Sequence, residues 1–261
     1  MAAFTVEFLG TGTSTGIPMI GCPCDVCRSD DPRDQRMRPS ILVRGPEGTL
    51  LVDTGPEMRI QMLRAGVDNL DAVLITHAQA DHIFGMDDLR QFNFRGAGPI
   101  PVHSETDTLD RLRQVFDYCF TPVRQGGGKP KIELVTVSPG TAIQLAGLEV
   151  LPVRILHGKL PILGFVFDRR FAYCTDVSHI PPETEALLAG IDTVVLGAVR
   201  TEPPPHSSHF ILPEALEAIA RLAPRQAWLT HLSHFFHHAR IDAGLPEGTG
   251  LAWDGLQLAF P

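Results

Sequence analysis

A chain of 261 residues with 44% hydrophobic content has ample material for one large buried core, and its formal charge of −8 argues against a nucleic-acid backbone as the main partner. Its apolar stretches are short and broken by Gly, Pro or charge, well below the ~20 residues that a membrane-spanning helix needs. The opening Met1-Ala2-Ala3-Phe4 lacks the basic n-region of a signal peptide, so the expectation is a soluble, cytoplasmic, single domain over residues 1–261.

In chain order, β-branched and aromatic runs predict strands over Phe4 to Leu9, Thr49 to Val52, Ala72 to Thr76, Leu148 to Val153, Leu163 to Phe167, Phe171 to Thr175, Thr193 to Leu196 and Ala227 to Thr230. Apolar spacing of three to four predicts helices over Glu57 to Ala65, Thr108 to Phe120, Pro182 to Leu188 and Pro213 to Leu222, with Pro182 and Pro213 suited to first turns. Strands in consecutive runs with helices interspersed imply an α/β fold of two packed sheets with helices outside, rather than regular βαβ alternation. There is no internal repeat. Thr121 to Lys131, with its Gly126-Gly127-Gly128, has little to bury and reads as a loop.

The densest chemistry is Thr76-His77-Ala78-Gln79-Ala80-Asp81-His82, where an apolar strand delivers several metal-type side chains to the turn that follows. A buried strand fixes its end, so such side chains lose little entropy on binding an ion. His157, Asp176 and His231 also each follow an apolar run, and four segments ending this way point to a metal centre. Cys22-Pro23-Cys24-Asp25-Val26-Cys27 is a second candidate, a loop at about 21–28. Five cysteines are an odd number, and without an export signal they do not suit a disulfide scaffold. Three thiols on one loop suit tetrahedral zinc, which requires a fourth ligand. Cys119 and Cys174 fall in apolar patterns and read as core.

The His and Asp order resembles the metallo-β-lactamase superfamily, whose signature is HxHxDH, then a distant His, an Asp and a last His. The resemblance implies an αββα sandwich of two mixed sheets flanked by helices. It assigns His77 and His157 to one metal site and Asp81, His82 and His231 to another, with Asp176 bridging and Asp53 supporting the ligand loop. Gln79 stands where the signature has its second His, and the resemblance counts it with the ligands of the first site. An amide oxygen is a poorer zinc ligand than imidazole, although manganese tolerates oxygen donors better, so the first site is expected to be weak, empty or selective.

Leu9-Gly10-Thr11-Gly12-Thr13-Ser14-Thr15-Gly16-Ile17-Pro18, then CxCxxC, Arg38-Pro39-Ser40, Leu156-His157-Gly158-Lys159-Leu160, Thr230-His231-Leu232-Ser233-His234 and Asp254-Gly255, are similar to the PhnP-type cyclic phosphodiesterases along nearly the whole chain. That similarity implies His234 as the fourth ligand of a structural zinc held by Cys22, Cys24 and Cys27. His237 and His238 are its rivals on sequence, but are expected to face solvent on a helix. The similarity further implies two divalent ions (Mn or Zn) in the active site and a small phosphodiester substrate, and it allows a homodimer. His209, in the loop before Pro213, matches the position of a His that assists the leaving group; with Asp81 it forms the catalytic assignment. His206 is a weaker candidate, and His103 and His179 receive no role. The opening glycines lack a Gly-Lys-Ser/Thr ending, so they read as turn formers and not as a nucleotide loop. Two further readings stay open: a tRNA 3′-end nuclease, disfavoured by the acidic balance, and a metal-binding protein with little hydrolysis, similar to coenzyme PQQ synthesis protein B and kept alive by Gln79.

Overall fold

The computed structural model describes residues 3–95, 98–122 and 128–261. The first half of the chain builds β1 (Phe4–Gly10), β2 (Ser40–Gly45), β3 (Gly48–Val52), β4 (Ala72–Leu74), β5 (Ile100–Ser104) and β6 (Ile132–Thr136). The second half builds β7 (Ile143–Leu145), β8 (Leu148–His157), β9 (Leu160–Phe167), β10 (Phe171–Cys174), β11 (Thr193–Gly197), β12 (Gln226–Thr230) and β13 (Thr249–Leu251), after which β14 (Gln257–Phe260) crosses back. The two sheets have the orders β14-β1-β2-β3-β4-β5-β6 and β13-β12-β11-β10-β9-β8-β7. Each is mixed: β1 to β3 pair antiparallel and β3 to β6 parallel, while β7 to β10 pair antiparallel and β10 to β13 parallel.

Strand alternation decides what lies between the sheets. Phe8, Val43, Val52 and Leu74 from one sheet meet Leu163, Phe165, Tyr173 and Val195 from the other in a single buried cluster. The opposite faces are covered by helices. Leu51, Val73 and Val102 lie with Met58 and Met62 of α1 (Met58–Arg64), Ile83 of α2 (Ala80–Ile83), Phe92 of α3 (Arg90–Phe94), Leu109 and Leu112 of α4 (Thr106–Val115) and Cys119 of α5 (Asp117–Phe120). Val153, Val194 and Leu229 lie with Leu188 of α6 (Pro182–Leu188), Ala215, Ala218 and Leu222 of α7 (Leu212–Leu222) and partly buried Ile241 of α8 (His238–Asp242). This is the αββα sandwich expected. At roughly 1.5–3 kcal/mol per fully buried large apolar side chain, these three layers are the main term holding the sheets together.

The eight expected strands and four expected helical regions are present, with shifted ends. Pro182 and Pro213 sit in first turns, and Glu214 folds back to accept the Ile211 N–H at 2.9 Å. The helix expected over Thr108 to Phe120 is two helices, because Phe116 leaves helical dihedrals (φ −114°, ψ 42°) as its ring is buried among the α4 and α5 side chains. Strands β2, β5, β6, β7, β13 and β14 fall outside the sequence expectations. Strand β2 has no alternation to detect, since Ile41, Leu42 and Val43 are buried on both faces, and Pro101 in β5 argues against a strand on sequence grounds. The loop expected over Thr121 to Lys131 lies partly outside the described residues.

One polar clasp ties the chain ends to this frame. Asp254 accepts the Thr11 N–H (2.9 Å), the Thr11 hydroxyl (2.8 Å) and the Met37 N–H (2.7 Å), and burial pushes its carboxyl up to about 7 against those three donors. Asp254→Ala strands all three donors and is expected to cost about 3 kcal/mol in chemical denaturation. Asp254→Asn, which keeps one acceptor, is expected to lose roughly half of that, and equal stability of all three proteins would refute the clasp. Nearby, a Cβ on Gly10 would meet the Arg38 carbonyl oxygen at 1.9 Å, so this opening glycine serves close backbone approach.

Candidate metal centre

The strands that carry the expected ligands end on one edge of the sandwich, because β3 runs parallel to β4 and β8 runs in the direction of β10 and β12. Their ends then turn sharply. Asp53, Asp176 and His231 all have left-handed backbones (φ 63°, 55° and 57°), which costs a non-glycine residue on the order of 1 kcal/mol each. That cost aims the side chains past the strand ends into one space. Gly197 makes room for it, since a Cβ there would come within 2.8 Å of the Asp176 nitrogen. Sequence reasoning did not single out Gly197.

Two donor groups result. Asp81, His82, Asp176 and His231 have ligand atoms within 4.8 Å of one another, and so do His77, His157 and Asp176. Asp176 belongs to both. In the first group, His82 Nε2 lies 3.3 Å from Asp81 Oδ2 and 3.3 Å from Asp176 Oδ2, and His231 Nδ1 lies 3.3 Å from Asp176 Oδ2. Asp81 and His82 ride on the short helix α2, where the sequence suggested only a turn.

The second ring nitrogens of His82, His157 and His77 are tied down in ways that set their tautomers. Asp53 is fully buried, accepts the Thr76 N–H at 2.8 Å and faces His82 Nδ1 at 2.8 Å. His157 Nδ1 meets the Ser208 carbonyl at 2.8 Å, and His77 Nδ1 meets the Thr76 hydroxyl at 3.0 Å. Each arrangement points the other nitrogen inward. His77 Nε2, His82 Nε2, His231 Nδ1 and Asp81 Oδ2 are all buried without a hydrogen-bond partner. A buried polar atom left unpaired costs ~1–3 kcal/mol, so four together in one pocket are the mark of a ligand, and their nitrogen and oxygen chemistry fits divalent cations.

The electrostatics agree. Burial opposes ionisation of Asp176, but His231, His82 and His77 hold it well below the usual carboxylate range; Asp81, with burial likewise opposed by His82, sits at about 2. Burial also opposes a charge on His82, yet Asp176, Asp53 and Asp81 raise it well above the ordinary imidazole value. A proton on His82 thus does part of what a cation would do there.

His209 leans over this centre. Its ring stacks on His231 (centroids 4.8 Å) and stands edge-on to His157 (4.5 Å), and its Nδ1 is buried, unpartnered and 3.9 Å from Asp176 Oδ1. Burial, with His231 beside it, pushes its pKa down to about 3. His206 is one ring further out, 5.0 Å from His209. Gln79 is exposed, immediately before α2, and its side-chain amide makes no hydrogen bond among the described residues. His103 is buried on β5 with neither ring nitrogen paired, and His179 is exposed.

The thiols form a separate group. Cys22, Cys24, Cys27 and His234 offer ligand atoms within 4.8 Å of one another, with His234 Nδ1 at 3.2 Å from Cys22 Sγ and 3.6 Å from Cys24 Sγ. Burial works against ionisation of Cys24, but the Cys27 N–H and the neighbouring thiols outweigh it and lower its pKa. The expectation that His237 and His238 both face solvent needs correcting. His238 is fully buried against Trp253, and its N–H donates to Asp34 Oδ1 at 2.8 Å, because α8 begins there and Asp34 takes up its free amide. The same Asp34 pairs with the buried Arg36, whose guanidinium also donates to the Phe236 carbonyl at 2.8 Å. This clamp anchors the segment after His234 to the chain that follows the Cys loop, and no sequence motif announced it. Cys119 and Cys174 are core residues.

Fold and donor set define a metallo-β-lactamase-type domain, and residues 49–232 match the family model described as beta-lactamase superfamily domain. The crystal structure of a diphosphatase from the PhnP family is 38% identical with a TM-score of 0.91, covering 99% of this chain and 97% of that one. An octanoyltransferase from Porphyromonas gingivalis is 37% identical over 252 residues, 95% of this chain, which spans 50% of that protein's length. Zinc-bound PqqB from Methylobacterium extorquens shares the fold, with a TM-score of 0.75 at 20% identity over 97% of this chain and 99% of that one. The chain belongs to the beta-lactamase superfamily and, within it, to the PhnP family.

Proposed function

We propose that this chain is a metal-dependent hydrolase that cleaves a small, cyclic or linear, phosphodiester of the ribose or nucleotide type. The observation that carries the reading is the pair of donor groups sharing Asp176, with His209 stacked on His231 of one and edge-on to His157 of the other. Two divalent cations held there would supply Lewis acidity, easing ionisation of water and neutralising charge on the phosphoryl oxygens. His77 and His157 would hold one ion, Asp81, His82 and His231 the other, and Asp176 both, while Asp53 orients His82 through its Nδ1. His209 is neutral in the free protein, and an anionic phosphodiester beside it favours its protonated form. So charged, it can pass a proton to the departing alkoxide.

The test is turnover of an aryl phosphodiester in added manganese. Activity is expected to vanish in Asp81→Ala and to survive in Cys119→Ala; wild-type protein with both ions bound and no turnover of phosphodiesters, lactams or thioesters would sink the reading. That second outcome is what a metal-binding protein with little hydrolysis predicts, a reading favoured by the exposed Gln79.

Cys22, Cys24, Cys27 and His234 are proposed to hold one structural zinc. Element-resolved metal analysis of protein purified without added ions is expected to show about one zinc fewer in Cys24→Ala than in Cys119→Ala, with a lower Tm, since binding energy at such a site is folding energy.

A further inference from the structure

The two donor groups are not equals, and the difference has a functional consequence. One has two carboxylates and two imidazoles, all buried; the other has two imidazoles and only its share of Asp176. A hard divalent cation gains most from anionic oxygen, and a carboxylate already committed to one ion has less charge to offer a second. The supporting contacts lean the same way. His82 is backed by a carboxylate at 2.8 Å, whereas His77 is backed by a hydroxyl at 3.0 Å and His157 by a carbonyl at 2.8 Å, and an anionic partner raises the basicity of a ligating imidazole more than a neutral one does.

Gln79 is the residue best placed in sequence to add a donor to the poorer group, between His77 and Asp81. It does not turn inward: it is exposed, in extended backbone (φ −86°, ψ 156°) at the start of α2, with its amide unpartnered among the described residues. Beside His77 it lines a cavity of about 500 Å³, together with Arg111, Thr136, Ser138 and Leu160. Through His77 the donor-poor group therefore borders a space large enough to admit a ligand, lined also by Glu105, Asp107 and Arg154.

Building on the dinuclear reading above, we propose that the centre is asymmetric by construction: Asp81, His82, Asp176 and His231 bind one divalent cation tightly, while His77, His157 and the shared Asp176 bind the other weakly, so that it is retained only together with a phosphoryl group. Gln79 is not a ligand. An oxygen of the incoming phosphoryl group makes up the donor deficit, and by linkage the ion and the phosphoryl group tighten each other's binding by the same factor.

The experiment is a manganese titration of the protein with its thiolate-site zinc in place, free Mn²⁺ being counted by electron paramagnetic resonance. Two steps are expected, separated by at least about tenfold, the scale on which supporting contacts alter metal affinity. Millimolar inorganic phosphate should tighten only the weaker step. Gln79→Ala should change neither step. Equal affinities, a weaker second step in Gln79→Ala, or indifference to phosphate would overturn the proposal while leaving two bound ions. A single manganese bound under every condition would instead overturn the dinuclear reading, and this proposal with it.

Discussion

Asp176→Asn is expected to deplete the centre of metal and to abolish phosphodiester turnover. The carboxylate is the one side chain common to both donor groups, and it lies 3.3 Å from both His82 Nε2 and His231 Nδ1. An amide of the same shape keeps one oxygen but forfeits the charge, and its NH₂ has no lone pair to offer a cation. The loss should exceed the ~10–100-fold drop in metal affinity that follows removal of a mere supporting partner. Asp53→Ala is the natural comparison for that smaller drop, because Asp53 touches His82 and the Thr76 segment but belongs to neither donor group. Metal content and turnover measured side by side decide the matter. An Asp176→Asn protein that retains both ions would remove the shared-ligand argument.

His209→Ala is expected to behave differently, lowering kcat by roughly 10²–10⁴-fold, the usual worth of a positioned acid, with metal content unchanged. The ring lies over His231 and His157 but is in neither donor group. The leaving group supplies the discriminating readout. A 4-nitrophenolate departs without help, so its diester should suffer little, whereas an alkyl diester, whose alkoxide needs a proton, should suffer the full loss. Equal losses on the two substrates would mean that His209 positions the centre and does not protonate the leaving group. The pH profile offers a second check. Burial holds free His209 neutral, with its pKa down at about 3, so for the free protein the charged form is lost as pH rises through that value. Binding of the anionic substrate moves the loss to higher pH, so the alkaline fall of kcat, which reports the bound complex, should disappear in His209→Ala.

The segment Thr76 to His82 was readable as a candidate cluster because strand periodicity is local: Ala72, Val73 and Leu74 are buried, the strand ends, and His77, Asp81 and His82 are buried just beyond it. The same logic exposed His157, Asp176 and His231, each at or just past a strand end. Strand β2 escaped because full burial erases alternation, and β5 because its Pro101 mimics a turn. Gly197, and the clasp that Asp254 makes, escaped for another reason. Their partners lie far off in sequence: Asp254 meets Thr11 and Met37, and Gly197 clears the Asp176 turn. Nothing in the residues near either one signals such a partner. His238 was misjudged for the same reason, since its environment is set by Asp34, 204 positions earlier.

By itself, then, the order of residues determined which side chains are chemically able to bind metal and that they end apolar strands, since hydrophobic periodicity and residue chemistry act over a few positions. The grouping, which the sequence carried only through its resemblance, was decided by tertiary structure, which sets Asp176 between two donor sets and His209 over the centre; tertiary structure alone turns Gln79 outward and lets Arg36 and Asp34 brace the segment beyond His234. Those outcomes depend on strand order and direction in two sheets, which bring atoms more than a hundred residues apart to within a few ångströms, and no local pattern encodes such distances.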